Sequence, residues 1–343
     1  MSSQPFTPKV HLTRLSSNAE TSNLQAKLRD TLTSKVKIFP SELLWDDLGL
    51  TKFEAFRTLT SDYYPARNET QILIKYADII SQSIPMKASI IELGSGNIEK
   101  TTLLLSALQK QEKTIDYYAL DMSSDELSTS VHTLDIKFQQ RGGISCHGLL
   151  GTYDDLVLWL HKQQHGVVSP VIFLWLGNSI GNYCSRDAAA LLTRIVSSEM
   201  TCELRFIIGV DGCQNISQIE RCYDAKNPLM QAFLTNGLRH ANRLAEMSLF
   251  RDEDWVCTGC YESTESTWKY FYVAQEDLEM DLLGTSIKFV KDERMLAISS
   301  AKWTEYDIAS IVRKAGLVVR NAWKDTDDIY GVYLVCQNPS GKL

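Results

Sequence analysis

The sequence predicts an α/β fold in which a parallel sheet is covered by helices on both faces and completed by a terminal antiparallel hairpin, with a second α+β lobe inserted. Three observations carry this. Apolar runs rich in β-branched residues recur near 89–93, 115–120, 144–150, 170–176 and 205–210, separated by helix-length segments. The first run ends in Glu92-Leu93-Gly94-Ser95-Gly96, a glycine turn that opens into a helical pattern over 99–108. Two late runs, 317–323 and 331–336, read as a hairpin.

Before the alternation begins, Leu24, Leu28, Leu32 and Val36 recur every four residues and predict a helix over 23–37, closed by Pro40. Short helical patterns follow at 41–50 and 52–59. Asp62-Tyr63-Tyr64-Pro65-Ala66-Arg67 reads as a turn whose two aromatics suit packing or, alternatively, a lid over the mouth of the next domain, and 69–83 is helical. After the fifth strand the alternation breaks. Residues 214–300 hold a helix at 228–246, an aromatic strand at 268–273 and a segment ending Met295-Leu296-Ala297-Ile298-Ser299-Ser300. The expected division is a flexible arm at 1–22, a substrate lobe from 23–64 with 214–300, and a sheet domain from 65–213 with 301–343.

With 343 residues, 44% of them hydrophobic, the chain can bury a full core. The net charge of -7 and scattered basic residues leave no nucleic-acid footprint, so a small-molecule partner is expected. Eight unevenly spaced cysteines point to reduced thiols and a cytoplasmic protein. Cys257-Thr258-Gly259-Cys260 has no second pair at zinc spacing, so no metal is expected. No apolar run approaches the roughly 20 residues of a membrane span, and the chain is expected to be a monomer without membrane partners.

The glycine turn narrows the ligand. A dinucleotide fingerprint needs Gly or Ala three residues after the second glycine, where this chain has Glu99. A phosphate loop would need glycine at that same position before Lys100-Thr101, and a carboxylate there repels phosphates. An adenosyl group with an amino-acid tail has no phosphate to cradle, which suits S-adenosylmethionine. The second strand ends at Asp121, where a carboxylate can accept both ribose hydroxyls or cap the following helix. The fourth ends in Gly177-Asn178-Ser179-Ile180-Gly181-Asn182, at the sheet edge where a methyl acceptor must lie; Asn182 offers donor and acceptor groups to a zwitterion. A terminal hairpin completing a parallel sheet is typical of the Rossmann-like class I methyltransferases.

With Tyr63-Tyr64-Pro65, the loop from Glu92 to Thr101, Tyr117-Tyr118-Ala119-Leu120-Asp121, the 177–182 turn, Tyr223-Asp224 and Met295-Leu296, the chain resembles the histidine-specific methyltransferase family from about Phe39 onward. That family includes Nα-methyltransferases of ergothioneine biosynthesis and fungal dimethylallyltryptophan N-methyltransferases of ergot alkaloid pathways. The resemblance implies that Gly94, Lys100 and Asp121 hold the methionine and ribose parts of the cofactor. Glu92, Ser95 and Gly96 complete that loop, with Thr152 and Tyr153 near the adenine, although the family often has an acid where Thr152 stands. It further implies that Gly177, Asn182 and Tyr223 bind the substrate's zwitterionic end, that Tyr63 closes over the amino acid, and that Trp45 replaces a tyrosine of the histidine enzymes. Tyr63, Asn182 and Tyr223 are the candidate catalytic residues.

One departure bears on the substrate. Where the histidine enzymes carry a glutamate for the imidazole, this chain has Ile298, with Ser300 kept. Losing a charged acceptor forfeits about 1.5–3 kcal/mol, whereas an apolar wall gains about 1.5–3 kcal/mol from burying an aromatic side chain. The expectation is methyl transfer to the α-amine of tryptophan or 4-dimethylallyltryptophan, with Ser300 accepting the indole N–H. A histidine Nα-methyltransferase and a non-catalytic cofactor-binding module remain the alternatives.

Overall fold

The computed structural model describes residues 12–15, 20–139, 143–162, 170–198 and 203–338. The chain opens with β1 (Leu12–Arg14), α1 (Glu20–Leu32), α2 (Asp47–Leu59) and α3 (Tyr64–Gln82). Strand and helix then alternate: β2 (Lys87–Leu93), α4 (Glu99–Lys110), β3 (Thr114–Asp121), α5 (Ser124–Gln139), β4 (Ile144–Leu150), α6 (Tyr153–Lys162), β5 (Val171–Trp175), α7 (Ser185–Val196) and β6 (Leu204–Asp211). The insertion contains α8 (Ile216–Cys222), α9 (Pro228–Ala245), β7 (Trp255–Glu262), β8 (Thr267–Ala274), β9 (Leu278–Leu282), β10 (Thr285–Phe289) and β11 (Arg294–Ala301). The chain closes with α10 (Glu305–Lys314), β12 (Leu317–Lys324) and β13 (Tyr330–Gln337).

The large sheet has the order β1-β4-β3-β2-β5-β6-β13-β12, parallel except for β13, which runs against both β6 and β12. Its central strands β2 and β5, and β13, are buried almost end to end because both faces are covered there. Residues of α3, α4 and α5 pack on one face. Those of α6, α7 and α10 pack on the other. Strand order reverses between β2 and β5, which pair directly, so the turns leaving their carboxyl ends part to opposite sides and open a crevice. A separate apolar core joins residues 28–64 to residues 213–297 around the antiparallel β11-β8-β7 sheet.

Three local expectations change. Within the stretch expected as an arm, Leu12–Arg14 adds a parallel edge strand to β4. The first helix stops at Leu32, short of Lys37. The hydroxyls of Thr33 and Ser34 bond nearby carbonyls, and Val36 faces solvent. The chain then extends so that Phe39 N–H reaches Leu296 O at 2.8 Å. The third helix begins at Tyr64 instead of at residue 69, because Pro65 sits in its first turn, where a missing N–H costs nothing.

Candidate active site

The Gly94–Gly96 turn leaves β2 with left-handed φ values of +72° and +43° at its glycines. Its N–H groups are spent inside the fold: Gly94 and Ser95 both donate to Leu120 O at 3.0 Å, and Gly96 donates to Asp121 Oδ2 at 3.0 Å. Glu99 N–H, at the start of α4, is taken by Asn97 Oδ1 at 2.8 Å. A phosphate cradle needs these donors free, so the exclusion drawn from Glu99 holds in geometry as well.

Asp121 caps the turn that follows it. Oδ1 accepts Met122 N–H at 2.7 Å and Ser123 N–H at 3.3 Å, fixing the strand-to-helix turn. Oδ2 takes only Gly96 N–H and so retains capacity for a hydroxyl. Burial raises the Asp121 pKa, against the lowering effect of the three backbone donors.

Glu92 faces inward. Its oxygens accept the Thr101 hydroxyl at 2.9 and 2.7 Å, together with a short bond from the Tyr117 hydroxyl, and burial pushes its pKa up to about 7. It braces α4 against β2 and β3. Thr152 is bonded within its own turn. Its N–H and hydroxyl bond Asp155 Oδ2 at 2.9 and 2.7 Å, and Asp155 N–H returns to the hydroxyl, a capping box at the start of α6. The signal was present in the sequence as Thr152-x-x-Asp155. Tyr153 does reach the crevice: a Cβ built on Gly94 would lie 3.0 Å from its hydroxyl.

Lys100 pairs with Glu69, which the sequence reading missed. This carboxylate is fully buried and also accepts Gly177 N–H at 2.8 and 2.9 Å and Tyr330 OH at 2.9 Å. Lys100 Nζ would lie 3.3 Å from a Cβ on Gly177, which has φ +75°. Thus Gly94 and Gly177, just past the ends of paired strands, keep open a space that side chains would fill, with a tyrosine hydroxyl and an ammonium at its edges.

Across this space lie the residues expected to bind the acceptor. The Tyr63 and Tyr223 rings meet edge-on at 5.8 Å, and Tyr63 also contacts Phe53 and Phe56 at 6.0 and 5.0 Å. Burial raises the pKa of Tyr63, so its hydroxyl stays protonated. Trp45 continues the aromatic roof through Phe53 and Phe233 at 5.2 and 5.0 Å. The Ser179–Asn182 turn packs on β11, and Asn182 is half-buried. On β11 a bulge between Leu296 and Ile298 restores the register so that Ile298 lies opposite Tyr270 and Ser300 opposite Trp268, on the core-facing side of the small sheet.

Beneath Ser300 is a second buried ion pair absent from the sequence reading. Lys302 Nζ stands 3.1 Å from Asp211 Oδ2, and both side chains are fully buried. Asp211 also accepts Tyr64 OH at 3.0 and 2.9 Å, Cys213 N–H at 3.1 Å and Tyr223 OH at 3.3 Å. An available signal was the recurring acid at strand ends, Glu92, Asp121 and Asp211. Cys257 and Cys260 lie three apart on β7, and among the described residues no cluster has the composition of a metal site. No described helix is long and apolar enough to cross a membrane.

A parallel sheet closed by an antiparallel hairpin, with a glycine turn whose amides are spent inside the fold, is the frame of an S-adenosylmethionine-dependent methyltransferase. The family of histidine-specific, S-adenosylmethionine-dependent methyltransferases matches residues 24–337, and the chain belongs to it. N-methyltransferase imqF of Aspergillus flavus is 37% identical over 303 residues, 88% of this chain and 81% of that protein. L-tryptophan methyltransferase trpM of Psilocybe serbica is 32% identical over 310 residues, 84% of this chain and 85% of that protein. Ergothioneine biosynthesis protein 1 of Neurospora crassa is 34% identical over 301 residues, 87% of this chain but only 33% of that longer protein. The chain is an N-methyltransferase that uses S-adenosylmethionine.

Proposed function

We propose that the chain methylates the α-amine of an indolic amino acid, L-tryptophan or 4-dimethylallyl-L-tryptophan. The observation that carries this is Ile298, half-buried and opposite Tyr270 on a strand, Arg294–Ala301, that holds no carboxylate. An imidazole N–H placed there finds no charged acceptor, while a flat apolar ring gains a wall. The tryptophan methyltransferase among the relatives agrees with this substrate class.

Lys100, Asp121 and Gly94 are the residues that would hold the cofactor, with Tyr153 beside them. When bound, S-adenosylmethionine supplies a methyl carbon on a sulfonium, already joined to a good leaving group. What this chain adds is placement. Tyr63, Asn182 and Tyr223 orient the acceptor so that its neutral amine faces that carbon in line, and such orientation is worth about 7–11 kcal/mol at its upper range. The ring face of Tyr63 also favours a nearby cation.

The test is incubation with S-adenosylmethionine and each candidate amino acid, followed by mass spectrometry of the product. Methylation of the indolic α-nitrogen is expected. Preference for L-histidine overturns the proposal, and cofactor binding in a calorimeter without methyl transfer to any amino acid favours a binding module instead.

A further inference from the structure

We propose that the buried Lys302 and Asn178 fix Ser300 as a hydrogen-bond donor only, so that the acceptor pocket offers a proton where a ring N–H would need a lone pair. The inference rests on the indolic reading above and refines its substrate class to aromatic amino acids whose ring needs no acceptor at this wall.

The bonding is determined by counting. Asn178 Oδ1 accepts the Asp211 backbone N–H at 3.0 Å, a donor that cannot reverse. This orients the amide, and its Nδ2 points to Ser300 Oγ at 3.3 Å as a donor. Lys302 has three N–H groups and no lone pair. They meet Asp211 Oδ2 at 3.1 Å, Ser300 Oγ at 2.7 Å and the face of the Tyr223 ring at 4.0 Å from its centre. Ser300 Oγ has two lone pairs, and both are therefore taken. Its own proton remains, directed to Tyr223 OH at 3.2 Å or to a bound substrate. On this reading Ser300 does not accept an indole N–H, in contrast to the expectation from the sequence, and Ile298 beside it offers no acceptor either. Lys302 is a positioning residue: it acts through Ser300.

The experiment compares L-tryptophan with 3-(benzothiophen-3-yl)-L-alanine, in which sulfur replaces the ring N–H with little change of shape. In the parent enzyme kcat/KM should favour the benzothiophene analogue by about fivefold or more, because a buried indole N–H would be left without a partner. Ser300→Ala should leave that ratio unchanged. Lys302→Met frees a lone pair on Ser300 and should move the ratio about fivefold toward tryptophan, through KM, an effect lost when Ser300→Ala is added. The pair Asp211→Asn with Lys302→Met removes both charges and gives the same readout should Lys302→Met alone fold poorly. A parent preference for tryptophan of tenfold or more that collapses in Ser300→Ala overturns this inference alone. So does a ratio that Lys302 variants leave unmoved. Methylation of neither aryl substrate overturns the indolic reading and this inference with it.

Discussion

Glu69 and Lys100 form an ion pair between α3 and α4 that sets the ammonium against Gly177, the first residue of the turn leaving β5. One buried carboxylate thereby ties together the two loops that frame the crevice. Glu69→Gln leaves the ammonium without its counter-charge. We expect it to lower folding stability by about 3 kcal/mol in urea titrations and to weaken binding of the demethylated cofactor about tenfold in calorimetry. Unchanged affinity would show that Lys100 needs no such support.

Gly209 tests the same carboxylate from behind. A Cβ at this position would lie 1.8 Å from Glu69 Oε1, far inside contact distance. Gly209→Ala should therefore reproduce the affinity loss of Glu69→Gln although residue 209 touches no ligand, with an overpacking cost of about 1–3 kcal/mol. Full affinity in this variant would mean that the crevice tolerates displacement of Glu69.

Gly94 and Gly284 form a matched pair, with φ +72° and +75°, but only a Cβ on Gly94 meets the Tyr153 hydroxyl, while one on Gly284 meets nothing. Alanine at either costs about 1–2 kcal/mol of backbone strain. Only Gly94→Ala should also lose cofactor affinity. Equal affinity in the two variants would remove the Gly94 turn from the cofactor site.

Glu92 makes stability depend on pH. Its folded pKa is raised from 4.5 to about 7 by burial. Between those values the folded chain keeps a proton that the unfolded chain has released. The contribution of this group to stability therefore falls as pH rises through the window, by on the order of 3 kcal/mol in all. Glu92→Gln does not titrate, so its stability relative to the parent should improve from about pH 5 to about pH 7 in urea denaturation. A constant difference would mean that Glu92 titrates as an ordinary carboxylate.

The sheet was legible because each buried strand is an apolar run that breaks at a glycine or an acid, and β2 to β6 fall within a few residues of expectation. The loop chemistry was legible too, since Glu99 is incompatible with phosphate whatever the coordinates. The charged networks were not. Glu69 and Tyr330 meet across 261 residues of chain, Asp211 and Lys302 come together from β6 and the end of β11, and no local pattern marks either network. The capping role of Thr152 was legible locally, since its partner Asp155 is three residues away. Ser300 was identified, but the polarity of its hydroxyl depends on neighbours brought in by the fold.

The most direct test is competition between L-tryptophan and L-histidine for the parent enzyme and for Ile298→Glu, with the methylated products separated by mass spectrometry. The parent should methylate the α-nitrogen of tryptophan preferentially, and Ile298→Glu should shift the kcat/KM ratio toward histidine by about tenfold or more, as expected for a regained charged acceptor. Histidine as the preferred substrate of the parent, or an unchanged ratio in the variant, would contradict the assignment of Ile298 as the wall that selects the acceptor ring.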